Sequence, residues 1–175
     1  MEKRRVVVTG MGAVSPFGTG VETLAESLRG GRSGVRRVPE LEHYEGLGSL
    51  VAAPVEGIDP KIIPRKHRRT MSPMSVYATL ATEEAMRQAR LDKEHCAGGD
   101  MGVAIGSSVG STISTQQSYS DFFNFNSLEK MRSTGFFKIM NHSCAANVCH
   151  ALGITGRVLA ASSACSTSCQ TVGYG

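Results

Sequence analysis

The chain has 175 residues, enough for one domain or one and a half. Hydrophobic residues make up 41% and charged residues 19%, a balance that excludes a disordered chain and allows a packed core. The formal net charge is +4 with no Lys/Arg stripe interleaved with aromatics, which argues against nucleic-acid binding. No segment approaches the roughly 20 apolar residues of a membrane span, so no membrane insertion is expected. Lys3-Arg4-Arg5 before Val6-Val7-Val8 imitates a signal peptide, but the apolar run stops at Thr9-Gly10. Cys96, Cys144, Cys149, Cys165 and Cys169 form an odd, sparse set, read as reduced thiols of a cytoplasmic protein.

In chain order, residues 5–9 are β-branched and end at Gly10, which predicts a short buried strand. Residues 21–28 predict a helix stopped by Gly30-Gly31, and residues 34–64, with four of the six prolines, read mostly as loop. Ser72-Pro73 is an N-cap followed by a first-turn proline. Met74, Ala78, Ala81, Ala85 and Ala89 then recur at steps of three and four, an amphipathic helix. A strand is predicted over 101–105, followed by a flexible turn at Gly106-Ser107-Ser108-Val109-Gly110-Ser111. Residues 138–152 read as one buried helix ended by Gly153, and residues 157–161 as a last strand. The chain then turns at Ser163-Ala164-Cys165 into another helix, and this alternation predicts a layered α/β fold.

Charge is unevenly spread. From Ile139 to Gly175 the sole Asp, Glu, Lys or Arg is Arg157. A stretch too polar for lipid and too uncharged for a solvated face is expected to be an interior or a subunit interface.

A strand, a tight turn bearing Cys165 and a small-residue helix together make a nucleophile elbow. Small neighbours expose the thiol, and the helix N-terminus favours thiolate and can hold an oxyanion. A buried structural cysteine is the competing reading of the local sequence. Gly10-Met11-Gly12-Ala13-Val14-Ser15 imitates a dinucleotide fingerprint, but serine replaces the third glycine and Pro16 interrupts the helix. His142, Cys144, Cys149, His150, Cys165 and Cys169 contain no C-x₂-C pair, so no metal is expected.

Ser162-Ser163-Ala164-Cys165-Ser166-Thr167-Ser168 closely resembles the active-site motif of elongating β-ketoacyl-[acyl carrier protein] synthases. Residues 6–18, VVVTGMGAVSPFG, resemble the opening of that family, and Ile105-Gly106-Ser107 with Val109-Gly110 resembles its strand and turn beside the acyl pocket. Arg65-Lys66 and Met71-Ser72, with Tyr77-Ala78 beyond, look like its branch handling unsaturated chains. The resemblance implies the N-terminal portion of a thiolase-like α/β fold over 1–175, in a cytoplasmic condensing enzyme of fatty-acid or polyketide elongation. Cys165 would accept an acyl group from acyl carrier protein for decarboxylative condensation with malonyl-carrier protein. Val109 and Ala164 would border the acyl substrate.

The dense basic run Arg65, Lys66, His67, Arg68, Arg69 falls where the family docks its acidic carrier protein, with Arg65, Lys66, Arg68 and Arg69 as docking residues. A solvated basic face is the alternative reading. The resemblance implies a homodimer, with the helix over 139–152 near the interface or pocket, and no metal or dissociable cofactor beyond the carrier's phosphopantetheine. The family's catalytic histidines lie beyond the nucleophile, and none of the five histidines here matches them. A non-catalytic or split-protein interaction subunit is therefore the alternative function, against which the presence of Cys165 counts.

Overall fold

The computed structural model describes residues 5–131 and 133–175. Its regular elements in chain order are β1 (Val14–Ser15), β2 (Gly18–Thr19), α1 (Val21–Arg29), β3 (Arg36–Arg37), β4 (Val51–Ala52), α2 (Arg65–Arg68), α3 (Pro73–Gln88) and α4 (Lys93–Ala97). They continue as β5 (Val103–Gly106), α5 (Thr112–Phe125), α6 (Gly135–Ile139), α7 (Ser143–Leu152), β6 (Val158–Ala161) and α8 (Thr167–Tyr174). Short 3₁₀ turns fill in at Pro39–His43, Pro60–Ile62, Leu128–Lys130 and Ala164–Ser166.

The centre is built from α3 packed on α7, with α7 in turn packed on β5 and β6. β5 and β6 pair in parallel, Val103 opposite Val158 and Gly106 opposite Ala161. Parallel pairing requires a long crossover, supplied here by α5, α6 and α7. The α8 helix lies against both strands. Gly106 makes that approach possible, because a Cβ there would overlap the side chains of Thr167 and Thr171.

The α3–α7 contact is made of small groups. Ser72, Ser75, Val76 and Thr79 are buried on one side, and Cys144, Ala145, Asn147 and Val148 on the other. Asn147 organises them: its Oδ1 accepts from Thr70 Oγ1 at 2.8 Å, and its Nδ2 donates to the Thr70 carbonyl at 3.2 Å and to Ser75 Oγ at 3.3 Å. Two apolar clusters flank this layer. Ile63, Met71 and Val76 form one, and Cys96, Cys149 and Ile154 the other. Burial pushes the thiols of Cys96, Cys144 and Cys149 up, so these three are packing residues held as neutral thiols.

The helix at 73–88 starts at the proline, as its sequence predicts, but its faces differ from the expectation. The Ser72 hydroxyl caps no amide; it is buried 3.5 Å from Ser75 Oγ. The alanine face is half-buried and serves the N-terminal segment. Gly10 and Gly12 lie so close to it that a Cβ on either would overlap the carbonyls of Ala85 and Ala81. Glu84 completes the seam by accepting from the amides of Ala13 at 3.0 Å and Val21 at 2.8 Å. The glycines of the false dinucleotide motif are thus helix-contact residues.

Three expectations fail. Residues 5–9 form no strand: Val6, Val7 and Val8 are 91, 66 and 81% exposed, and no neighbouring strand among the described residues pairs with them. The single helix expected over 138–152 is two. Met140 is extended, with ψ 132°, and Asn141 Nδ2 reaches out to the Ser107 carbonyl at 3.0 Å. The Ser143 hydroxyl donates to the carbonyls of Phe137 and Met140, so side chains replace the lost helical bonds across the break. Finally, α5 is a 14-residue helix where no element was expected. Ser111 caps it by accepting from the Ser114 amide at 3.2 Å, and Asn126 ends it in the left-handed region at φ 46°.

Candidate active site

The chain leaves β6 at Ala161 and reverses through Ser162, Ser163 and the 3₁₀ turn at Ala164–Ser166 before entering α8. Ala164 sits in the left-handed region at φ 49°, one of three non-glycine residues with positive φ among those described. That conformation costs about 1–3 kcal/mol and persists where surroundings over-determine it. They do so here. Thr167, buried to 4% exposure, accepts the Ser163 amide at 2.8 Å and donates to the Ala164 carbonyl at 2.8 Å. Ser108 Oγ donates to the same carbonyl at 2.8 Å and lies 3.2 Å from Thr167 Oγ1. Two hydroxyls from different elements therefore clamp one strained peptide.

The result is an exposed Cys165 at the head of α8, whose first turn carries no side-chain cap. Its free N–H groups remain available to a developing negative charge. Cys169 is also exposed, whereas the other three cysteines are buried. The competing reading of Cys165 as a buried structural cysteine is contradicted by this exposure.

Val109, expected beside the acyl substrate, is 62% exposed in the turn after β5, next to the Ser108 that grips the elbow. Ala164 is exposed in the elbow itself. The structure thus brings Val109, Ala164 and Cys165 into one loop cluster. Gly110 fixes the far end of that turn, since a Cβ there would overlap the Ile139 carbonyl. Thr167 and Ser108 were not singled out from the sequence. Thr167 lies in the motif, but its role depends on a partner 59 residues away.

The basic residues form a separate feature. Arg65, Lys66 and Arg69 are exposed and Arg68 is half-buried. Arg65, Arg68 and Arg69 line a groove of about 530 Å³ over an apolar floor that includes Met71, Val76 and Tyr77. Lys138 lines the same groove from α6, a basic contribution sequence reasoning did not assign. Arg68 Nε is buried without a hydrogen-bond partner. The groove carries no carboxylate in its lining, so it presents one sign of charge. α7 connects this region to the elbow, touching α2 on one side and the β5–β6 pair on the other.

His142 and His150 were expected on a buried helix; both are exposed, and His150 pairs with His67 rather than with the nucleophile. Among the described residues, no three His, Cys, Asp or Glu side chains converge as a metal site. No helix of the described residues is long and apolar enough to cross a membrane.

The site is thus an exposed thiol on a clamped strand-to-helix turn. The model of the β-ketoacyl synthase N-terminal domain matches residues 3–174, and the chain belongs to that family. Nodulation protein E of Rhizobium meliloti (strain 1021) is 33% identical over 94% of this chain and 40% of its own length. The 3-oxoacyl-[acyl-carrier-protein] synthase 1 of Haemophilus influenzae is 29% identical over 98% of the chain and 42% of its own. A crystal structure of a β-ketoacyl synthase from Burkholderia phymatum STM815 superposes with a TM-score of 0.87 at 36% identity, covering 98% of this chain and 42% of that one. The fold is therefore the N-terminal part of the thiolase-like α/β architecture. The chain spans about two-fifths of the length of these relatives.

Proposed function

We propose that this chain supplies the acyl-accepting and carrier-docking part of a β-ketoacyl-[acyl carrier protein] synthase acting in fatty-acid or polyketide elongation. The observation that carries the reading is the exposed Cys165 on an elbow held by Thr167 and Ser108. The Cys165 thiolate attacks the thioester carbonyl of an acyl group on the carrier's phosphopantetheine. The tetrahedral oxyanion is met by N–H groups at the head of α8, and the phosphopantetheine thiol leaves with a proton. Malonyl-carrier protein then loses CO₂, and its carbanion attacks the acyl-cysteine, lengthening the chain by two carbons and releasing the Cys165 thiolate. The family resemblance assigns the histidines for that second half-reaction to positions beyond the nucleophile.

The chemistry so written needs no metal or dissociable cofactor of the protein's own. It does need Cys165 reduced, which suits a cytoplasmic setting. The test is intact-mass measurement of the full-length protein after incubation with acyl-carrier protein. An acyl adduct on the peptide containing Cys165 supports the reading; an unmodified Cys165 with full condensing activity rejects it.

The basic groove and the exposed Lys66 of α2 together form the docking surface for the acidic carrier. Charge reversal of Lys66 and Arg69 to glutamate is expected to weaken carrier binding at least tenfold at low salt. The difference should shrink as ionic strength rises. Unchanged affinity at low salt would remove this role.

A second copy of the chain is the proposed partner for the exposed apolar residues Ile113, Tyr119, Phe123 and Phe125 of α5 with Phe136 and Phe137 of α6. Their exposures run from 50 to 72%, an apolar concentration larger than scattered surface residues explain. The Phe123→Glu variant should sediment as a monomer where the parent sediments as a dimer. A dimer of unchanged stability in the variant would place the interface elsewhere.

A further inference from the structure

We propose that His67 and His150 form a proton-released latch that seats the basic helix α2 on α7. Acidification would free the docking helix. The proposal rests on the carrier-docking reading of α2 for its functional consequence, though not for its physics.

The two rings face each other with Nδ1 to Nδ1 at 2.7 Å, centroids 4.6 Å apart and planes at 75°. A hydrogen bond between two Nδ1 atoms needs one ring to donate and the other to keep its lone pair. One proton can enter at Nε2 of the donor ring and leave the bond intact. A second removes the acceptor's lone pair and sets two N–H groups, on two cations, against each other. The latch therefore opens when both rings are charged.

Location sets when that happens. Burial first, then the charge interactions with His150 and Lys66, hold His67 below its ordinary value of 6.5. A depressed pKa means that the neutral form is favoured in the latched state. The contribution is complete above about 6.5 and is lost as pH falls through the depressed value.

The surrounding groups do not neutralise a second proton. Lys61 lies on the turn before α2, and Lys66 on α2 itself. Across the cavity shared with His67, α3 and the segment after it present Glu83, Arg87, Arg90, Asp92 and Lys93, more cations than carboxylates. The Cys96 thiol in the same wall is pushed up by burial and stays neutral. The α7 helix carries no Asp, Glu, Lys or Arg.

The neighbouring Thr70–Asn147 contact does not titrate, so it anchors one end of the α2 segment while the histidine pair controls the other. The amides of His67, Arg68, Arg69 and Met71 bond to carbonyls of Pro64, Arg65 and Arg68, and they report on this seating.

Hydrogen-exchange protection factors of these amides, measured on the full-length protein at about pH 7.5 and at the lowest pH at which the fold persists, test the latch. The expected result is a loss of about fivefold at the lower pH, the effect of one net hydrogen bond. In His150→Phe the protection should be low and equal at both pH values. Equal protection in the parent protein, or a parent-like pH step in His150→Phe, would overturn the proposal. Fluorescence anisotropy with labelled acidic carrier protein on the same samples separates the two readings. Absence of carrier binding at every pH defeats the docking assignment, while the exchange data independently decide the latch.

Discussion

Cys165→Ala is expected to lower acyl transfer from carrier protein by about 10³-fold or more, whereas Cys169→Ala should keep it within a few-fold of the parent. The two thiols are both exposed and sit in one helical neighbourhood, so simple labelling does not tell them apart. Their backbone settings do. Cys165 belongs to the turn that Thr167 and Ser108 hold, ahead of the uncapped α8 amides. Cys169 lies one helical turn further on, within α8 and outside the clamped turn. Single-turnover acylation followed by intact mass measures both variants. Retention of the adduct in Cys165→Ala, or its loss in Cys169→Ala, would transfer the nucleophile's role to the second cysteine.

Gly12→Ala should destabilise the fold by about 1–3 kcal/mol, the range for forcing extra volume into closed packing. The added methyl has no free direction, because its place is taken by the Ala81 carbonyl and Cα. Relief requires the N-terminal segment to lift from α3, which also separates Glu84 from the amides of Ala13 and Val21. Urea unfolding provides the measurement, with Gly173→Ala as a control, since nothing lies within 4 Å of a Cβ at that position. Equal midpoints for the two variants would mean that the seam yields at little cost.

The elbow was legible because its signal is local. A small-residue strand, a tight turn and a small-residue helix around Cys165 occupy adjacent positions, and the structure has β6, the turn and α8 in that order. The start of α3 was legible for the same reason: Pro73 fixes φ and lacks the amide that a first turn would leave free. The strand expected over 5–9 was not, because a strand is defined by its neighbours and Val6, Val7 and Val8 find none among the described residues. α5 escaped notice because serine, threonine, glutamine and asparagine interrupt any apolar period, and no residue of the helix is fully buried. The break at Met140 is invisible in hydrophobicity, since it is fixed by Asn141 reaching 34 residues back to Ser107. The same holds for Lys138 in the basic groove and for the His67–His150 contact, both joined across distant sequence.

The hydroxyl- and amide-lined contact between α3 and α7 bears on how accurately the elbow is placed. Apolar helix faces can slide by a turn and recover most of their contact area, because grease is indifferent to register. Asn147 removes that indifference. A slip of either helix strands its amide, Thr70 and Ser75 together, each uncompensated group costing about 1–3 kcal/mol. The interface works as a ratchet pin more than as an adhesive. The strands beneath α7, and the thiol they deliver, inherit a single permitted alignment from one carboxamide.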